Sequence, residues 1–272
     1  MESKIAGALQ LKHSPVALLW ADEKPEGALE FQKGKWGCVM FMFAGAVKGK
    51  TAAFGRETFG CWGGGVGLGF GNRYEEFPGG VDCFARFLST GNAGWERGEQ
   101  VAEQLKPVVR KEFLHEFLEG ERYLQSPELV EQFVEELPIT DVPAEYVLFK
   151  PLKDVDAEAE NVVVATFPVN ADQLSALVVL ANYARPGIEN VSVPFGAGCQ
   201  TIGVLPYREA RSERPRAVVG LTDLSARKYA RKLLGKDLLT FSMPWKLFLD
   251  MEEQVEGSFL QRDTWKSLLE TA

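Results

Sequence analysis

Short apolar runs alternate with helix-patterned segments on both sides of a charged stretch, Trp95–Leu137, and this alternation restricts the chain to mixed helix-and-strand architectures. The first side reads as a strand at Val16–Trp20, a helix at Val39–Val47 and a strand at Ala52–Phe54. A glycine-rich loop, Cys61-Trp-Gly-Gly-Gly-Val-Gly-Leu-Gly-Phe-Gly71, and a helix from Cys83 to Leu88 follow. The second side reads as strands at Tyr146–Phe149 and Val162–Phe167, a helix at Ala171–Tyr183 and a strand at Val191–Pro194. After these come a turn at Phe195-Gly-Ala-Gly-Cys199, a strand at Ile202–Pro206 and a helix at Leu224–Leu234, with Gly235 as its C-cap. Within the charged stretch, Ser126-Pro-Glu128 has the form of an N-cap, a first-turn proline and an acidic first turn, so two helices are expected, split near Gln125. The tail reads as helical from Trp245, with a break around Gly257.

The two sides share features in order. Pro15–Trp20 parallels Tyr146–Pro151, Thr58–Cys61 parallels Gly196–Cys199, and Asp82–Arg86 parallels Asp223–Arg227. An internal repeat over 1–94 and 146–240, joined by a helical block at 95–137, accounts for this order. The fold class expected is α+β: two weakly related strand-helix-strand halves forming one extended core, with additional helices. In that repeat Cys61 and Cys199 are equivalent points that could face a shared ligand.

With 46% hydrophobic and 25% charged residues, the composition is that of a soluble globular protein long enough to bury a sizeable core. A net charge of −8 argues against a general nucleic-acid binder. The most apolar stretches, Cys38–Val47 and Leu174–Ala184, are too short to span a bilayer. The N-terminal segment makes a poor signal peptide, so a cytoplasmic location is expected, where structural disulfides are rare.

The chemistry of the chain concentrates in its four cysteines, Cys38, Cys61, Cys83 and Cys199. Cys38 opens a helical segment and Cys83 follows the apparent N-cap Asp82. A helix N-terminus carries unpaired N–H groups and partial positive charge, which favour thiolate. Cys61 and Cys199 lie beside glycine-rich turns, where Gly63 and Gly64 allow close approach to a bound object. The spacing lacks the paired knuckles of a structural zinc site and the C-x-x-C of a redox dithiol. Scattered cysteines with loop N–H groups nearby suit an iron–sulfur cluster, 4Fe–4S above all, with Cys38, Cys61, Cys83 and Cys199 as metal ligands. Trp36 and Trp62 beside two of the thiols would then shield the cluster, or simply be core.

Other motifs fail on inspection. Gly45–Thr51 resembles a P-loop but has three residues where four are required. Gly63–Gly71 has no G-x-G-x-x-G register, so a dinucleotide site is not expected. His13 and His115, the only histidines, read as turn and surface residues and leave a Ser-His or Cys-His hydrolase a minor candidate. Arg227, Lys228, Arg231 and Lys232 read as a solvated helix face.

A set of segments carries a family resemblance: Ser14-Pro-Val-Ala17; Cys38 followed by Ala44-Gly45; Cys61-Trp-Gly-Gly64 followed by Gly67-Leu-Gly69; and Phe241-Ser-Met-Pro-Trp245 with Phe248, Met251, Ser258-Phe-Leu260 and Trp265. Together they resemble the archaeal and bacterial family called domain of unknown function 169, over most of the chain, which is then a single family domain across 1–272. The resemblance implies a cytoplasmic α+β protein found often in anaerobes, and it supplies no catalytic residues. Cysteines at positions like Cys38, Cys61 and Cys199 fit an oxygen-sensitive cofactor. Without Cys83, three thiols would hold a cluster and leave one iron open.

The function expected from the residues is an iron–sulfur protein acting in redox chemistry or electron transfer with a partner protein. Two other readings stand beside it. One is a metal-free small-molecule-binding module with structural cysteines. The other is a thiol-dependent enzyme with Cys61 as nucleophile.

Overall fold

A computed structural model describes residues 1–270. The chain packs as two compact units, one formed by Met1–Gly71 with Thr140–Ala272 and the other by Asn72–Ile139.

The first unit holds strands β1 (Val16–Ala21), β2 (Ala52–Gly55), β3 (Tyr146–Pro151), β4 (Val162–Val169), β5 (Val191–Ser192), β6 (Ala217–Gly220) and β7 (Leu239–Pro244). They form one sheet in the order β2-β3-β1-β4-β7-β6-β5, antiparallel throughout except for the parallel pair β5–β6. Its helices are α1 (Lys4–Ala8), α2 (Val39–Val47) and α3 (Trp62–Leu68), and, after the second unit, α8 (Ala171–Tyr183) through α13. The last group comprises α9 (Gly198–Ile202), α10 (Val204–Ala210), α11 (Leu224–Leu234), α12 (Trp245–Gln254) and α13 (Asp263–Glu270). The α+β class expected from the sequence is the class observed.

Successive strand residues point to opposite faces, so a strand buried on both sides reads as a continuous apolar run. In β1, Val16 and Leu18 join one core with Phe43, Phe54 and Phe149, while Ala17 and Leu19 join another with Phe167, Phe241 and Phe248. Two hydrophobic layers therefore flank the sheet. Near its start β4 carries a bulge: Leu18 pairs with Val164 and Leu19 with Val162, which leaves Val163 as the extra residue. A bulge bends its strand and re-aims local side chains.

The second unit contains α4 (Gly80–Leu88), α5 (Glu96–Leu105), α6 (Lys111–Glu119) and α7 (Pro127–Glu136). Rings fill its interior, with Phe77 packed against Phe84, Phe87, Phe113 and Phe117. The buried Asn92 amide donates to the carbonyls of Cys83 and Phe117, at 3.1 and 3.0 Å.

Four local expectations need correcting. The charged stretch forms three helices, because the segment after Leu105 contains Pro107, which cannot supply a helical N–H. The glycine run is helix α3, since its glycines face another backbone and the packing offsets their low helix propensity. Ile202–Pro206 ends α9 and begins α10; its apolar residues are buried by helices, and a short apolar run does not distinguish a strand from a buried helix. Cys83 is the fourth residue of α4, which starts at Gly80 after Gly79 in a left-handed conformation, so Asp82 is no N-cap.

The paired segments have distinct fates. Val16–Ala21 and Tyr146–Pro151 are antiparallel neighbours, β1 and β3. Cys61 and Cys199 open α3 and α9, while Asp82–Arg86 and Asp223–Arg227 fall in different units.

Candidate functional site

Cys38, Cys61 and Cys199 all lie in the first unit, each at the start of a helix. Cys38 is the N-cap residue of α2 and makes no side-chain capping bond. Cys61 is the N-cap of α3, and its Sγ accepts the Gly64 N–H at 3.2 Å. The Cys199 thiol donates to the Gly63 carbonyl at 3.1 Å. Cys61 and Cys199 thus occupy the two ends of one peptide unit, Gly63–Gly64. Glycine is required here for steric reasons. A Cβ on Gly67 would stand 2.8 Å from the Cys199 backbone, and one on Gly203 would stand 2.0 Å from the Gly67 oxygen. Gly67 and Gly203 thus form the surface on which α9 lies against α3, while Gly64, expected from the sequence to approach a cofactor, faces Val39, the Phe59 carbonyl and the Cys61 sulfur.

The electrostatics differ from those expected of helix-start thiols. Burial pushes the Cys38 thiol up to about 12, reinforced by Cys61 and only partly opposed by the N–H groups of Met40 and Phe41. Burial likewise raises Cys61, against the pull of the Gly64 N–H, and raises Cys199 far above its ordinary range. Asp223, the N-cap of α11, accepts from the backbone N–H groups of Ala226 and Gly198, and burial pushes its carboxyl up as well. Desolvation of the charged form outweighs the helix termini, so these thiols are held protonated. All four cysteines are free of disulfides.

Cys83 belongs to the second unit. It is buried in α4, with its thiol raised by burial and with Arg97, Asp82 and Arg86 as the charges around it.

These positions overturn the iron–sulfur reading of function. Among the described residues, no three His, Cys, Asp or Glu side chains are placed to hold a metal ion. At the sulfurs, Cys61 and Cys199 are engaged with the backbone of α3, and Cys83 belongs to the other unit. The electron-transfer role falls with the cluster that was to perform it.

Elsewhere in the first unit, a groove of about 880 Å³ opens at one end of the sheet. It lies where β1 ends and β4 begins, near the bulge, and is closed by the connections β4 shares with later elements: the loop after α8, the loop after α10 and the junction of β7 with α12. The aromatic walls are Trp20, Tyr207 and Trp245. Trp20 meets Tyr207 edge-on at 5.2 Å, and Trp245 packs on Phe248 at 4.8 Å. Burial pushes the Tyr207 hydroxyl above its ordinary range; that hydroxyl donates to the Leu68 carbonyl at 3.3 Å.

The charged residues of the groove are Arg185, Arg211, Arg214 and Lys246, against Glu213 and Asp250. The two loops that carry the arginines are fastened. In the first, Asn190 is buried, and its amide donates to Asn182 Oδ1 at 2.8 Å and to the Pro186 carbonyl at 3.3 Å. Arg214 Nη2 donates to the same Pro186 carbonyl at 3.0 Å and ties the loops together. In the second, the buried Glu209 carboxylate accepts from the Arg216 backbone N–H and from its guanidinium, both at 2.9 Å. Against this background Arg185 is anomalous: its Nη1 is buried with no hydrogen-bond partner. Burial and the like charge of Arg214 hold its guanidinium below its ordinary value, in spite of Asp250 and Glu209.

Sequence reasoning missed this groove. A usable signal was present in two arginine–proline turns, Arg185-Pro-Gly187 and Arg214-Pro-Arg216, in loops that follow helices. Each reads alone as ordinary loop chemistry, and only the fold brings them together.

A sheet covered on both faces by helices, with its thiols at helix starts and in helix packing and a ligand-sized groove at its end, defines an α+β protein with a second candidate site away from its cysteines. The chain matches the model of domain of unknown function 169, described as an uncharacterised ArCR family, over residues 4–254, and it belongs to that family. No curated protein and no solved structure matches it. Among the described residues, no helix is long and apolar enough to cross a membrane.

Proposed function

We propose that this chain is a cytoplasmic, metal-free small-molecule-binding module whose cysteines are structural. The groove at the sheet end carries the reading. At about 880 Å³ it falls within the range of about 300–1,000 Å³ usual for ligand pockets, and it combines apolar walls with a few polar groups on fastened loops. The state of the thiols supports the same reading. A nucleophilic cysteine needs a lowered pKa or an adjacent base, whereas Cys61 is raised by burial and accepts a backbone N–H.

Trp20 and Trp245 make the groove observable. Small aromatic fragments that enter it are expected to change tryptophan emission, and Trp245→Ala is expected to weaken their binding. A fragment set of mixed charge that leaves the emission unchanged, or binds Trp245→Ala as well as the parent, refutes the reading.

A further inference from the structure

Resting on the reading of the groove as a ligand site, we propose that its ligand is an organic oxyanion, a flat apolar body bearing a carboxylate or phosphate group, and that Arg185 is the residue that binds the oxyanion. Three independent observations support this. The first is the orphaned donor. A buried N–H without a partner is costly, and the great majority of buried polar groups in native proteins are paired. Arg185 Nη1 is such a group, and Arg185 is one of the residues that line the groove. Among the described residues no carboxylate forms an ion pair with Arg185, although Asp250 and Glu209 are near enough to influence it, and Glu209 is itself committed to Arg216.

The second is the charge balance. The chain carries a net charge of −8, yet four of the six charged residues lining the groove are cations. Arg214 opposes the charge of Arg185 across the fastened loops. Two guanidinium groups that repel one another in a partly desolvated place are relieved by an anion that neutralises both. Guanidinium also suits oxyanions geometrically, since its planar array of donors matches carboxylate and phosphate oxygens.

The third is rigidity. Asn190 and Arg214 hold the loop of Arg185 through the Pro186 carbonyl, and Glu209 holds the loop of Arg214 through Arg216. A donor fixed before binding loses little conformational freedom on binding. The aromatic walls then set the body of the ligand, since the half-buried Trp20 and Trp245 present ring surface suited to a flat apolar group.

The test compares four probes of similar shape by tryptophan fluorescence and calorimetry: benzoate, phenyl phosphate, neutral benzamide and cationic benzylamine. The expected order places both anions ahead of benzamide, with benzylamine weakest. The stronger of the two anions identifies the oxyanion as carboxylate or phosphate. Arg185→Gln is expected to weaken anion binding about tenfold or more, with benzamide binding unchanged. Arg185→Lys returns the charge without the planar donor array and is expected to recover part of the loss. A second readout separates binding from structure. Removal of a half-buried cation with an unpaired buried nitrogen is expected to leave the thermal midpoint of the ligand-free protein unchanged or raised, whereas loss of a structural arginine would lower it. Equal binding of benzamide and benzoate, or anion binding indifferent to Arg185→Gln, overturns the oxyanion assignment and leaves the groove a ligand site. No binding of any probe up to about 10 mM overturns both the assignment and the reading it rests on.

Discussion

The contact of α3 with α9 and the groove at the sheet end treat polar groups in opposite ways. Around Cys61 and Cys199 the thiols are bonded to the two ends of one peptide unit, and glycine removes every Cβ that would hold the two backbones apart. In the groove, a guanidinium nitrogen is buried without a partner and stands beside a like charge. The residues with the most reactive chemistry are therefore satisfied parts of a packing interface, and an arginine in a loop is left incomplete. A satisfied polar group stabilises a fold; an unsatisfied one costs stability and is the better pointer to a ligand.

The largest effect expected from breaking this contrast lies in the packing. Gly203→Ala drives a methyl group to 2.0 Å from the Gly67 oxygen, where neither backbone can yield without parting α9 from α3. Destabilisation on the order of 3 kcal/mol or more is expected in urea unfolding. A loss below about 1 kcal/mol would show that the contact is looser than described.

The support of the groove comes next. Glu209→Gln removes the buried charge that holds the Arg216 guanidinium and backbone, and a loss of about 2 kcal/mol is expected in the same measurement. Anion binding should weaken with it, because the loop of Arg214 is no longer fixed. Unchanged binding would separate the groove from its scaffold.

The thiols should matter less. Cys61→Ser keeps an acceptor for the Gly64 N–H at a position where serine is a favoured N-cap, and a change within about 1 kcal/mol is expected. A collapse of stability would mean that the sulfur itself does something no oxygen can replace.

The smallest effect is a pH slope at Asp223. Burial raises its carboxyl, so the folded protein holds that proton to higher pH than the unfolded chain does. Its contribution to stability is then fully present below the unfolded value near 3.8 and is lost as pH rises through the raised one. In urea midpoints taken between about pH 4 and pH 7, Asp223→Asn should flatten that part of the profile. An unaltered slope would assign the dependence to other groups, of which Glu252, also raised by burial, is the nearest in kind.

The two units offer a second comparison. Asn72–Ile139 holds 14 acidic against 7 basic side chains and so carries nearly all of the net charge of the protein. Its fold rests on a cluster of phenylalanine rings under this acidic exterior, whereas the first unit rests on a sheet buried on both faces.

Elements with strong local signals were legible. The helix α8 spans Ala171–Tyr183 and α11 ends at Gly235, both as read from sequence, and a reciprocal cap between Asn170 and Gln173 fixes the start of α8. Strands β1 and β4 were legible because they are short and apolar and burial on both faces leaves no polar alternation to confuse them. Local patterning failed where tertiary contact reversed a propensity. Four glycines within Trp62–Leu68 favour a loop, and only the close approach of α9 makes a helix of that segment.

The same division holds for the candidate site. By itself the sequence determined the α+β class, the family and the positions of most elements, since these follow from apolar period, caps and chain-long motifs. It also placed Cys38 at a helix start, where backbone N–H groups are unpaired. The tertiary structure alone decided the state of those thiols, because desolvation depends on what surrounds a group in space and here outweighs the helix termini. It alone also brought Arg185 and Arg214 together from two loops about thirty residues apart in the chain and left Arg185 Nη1 buried without a partner.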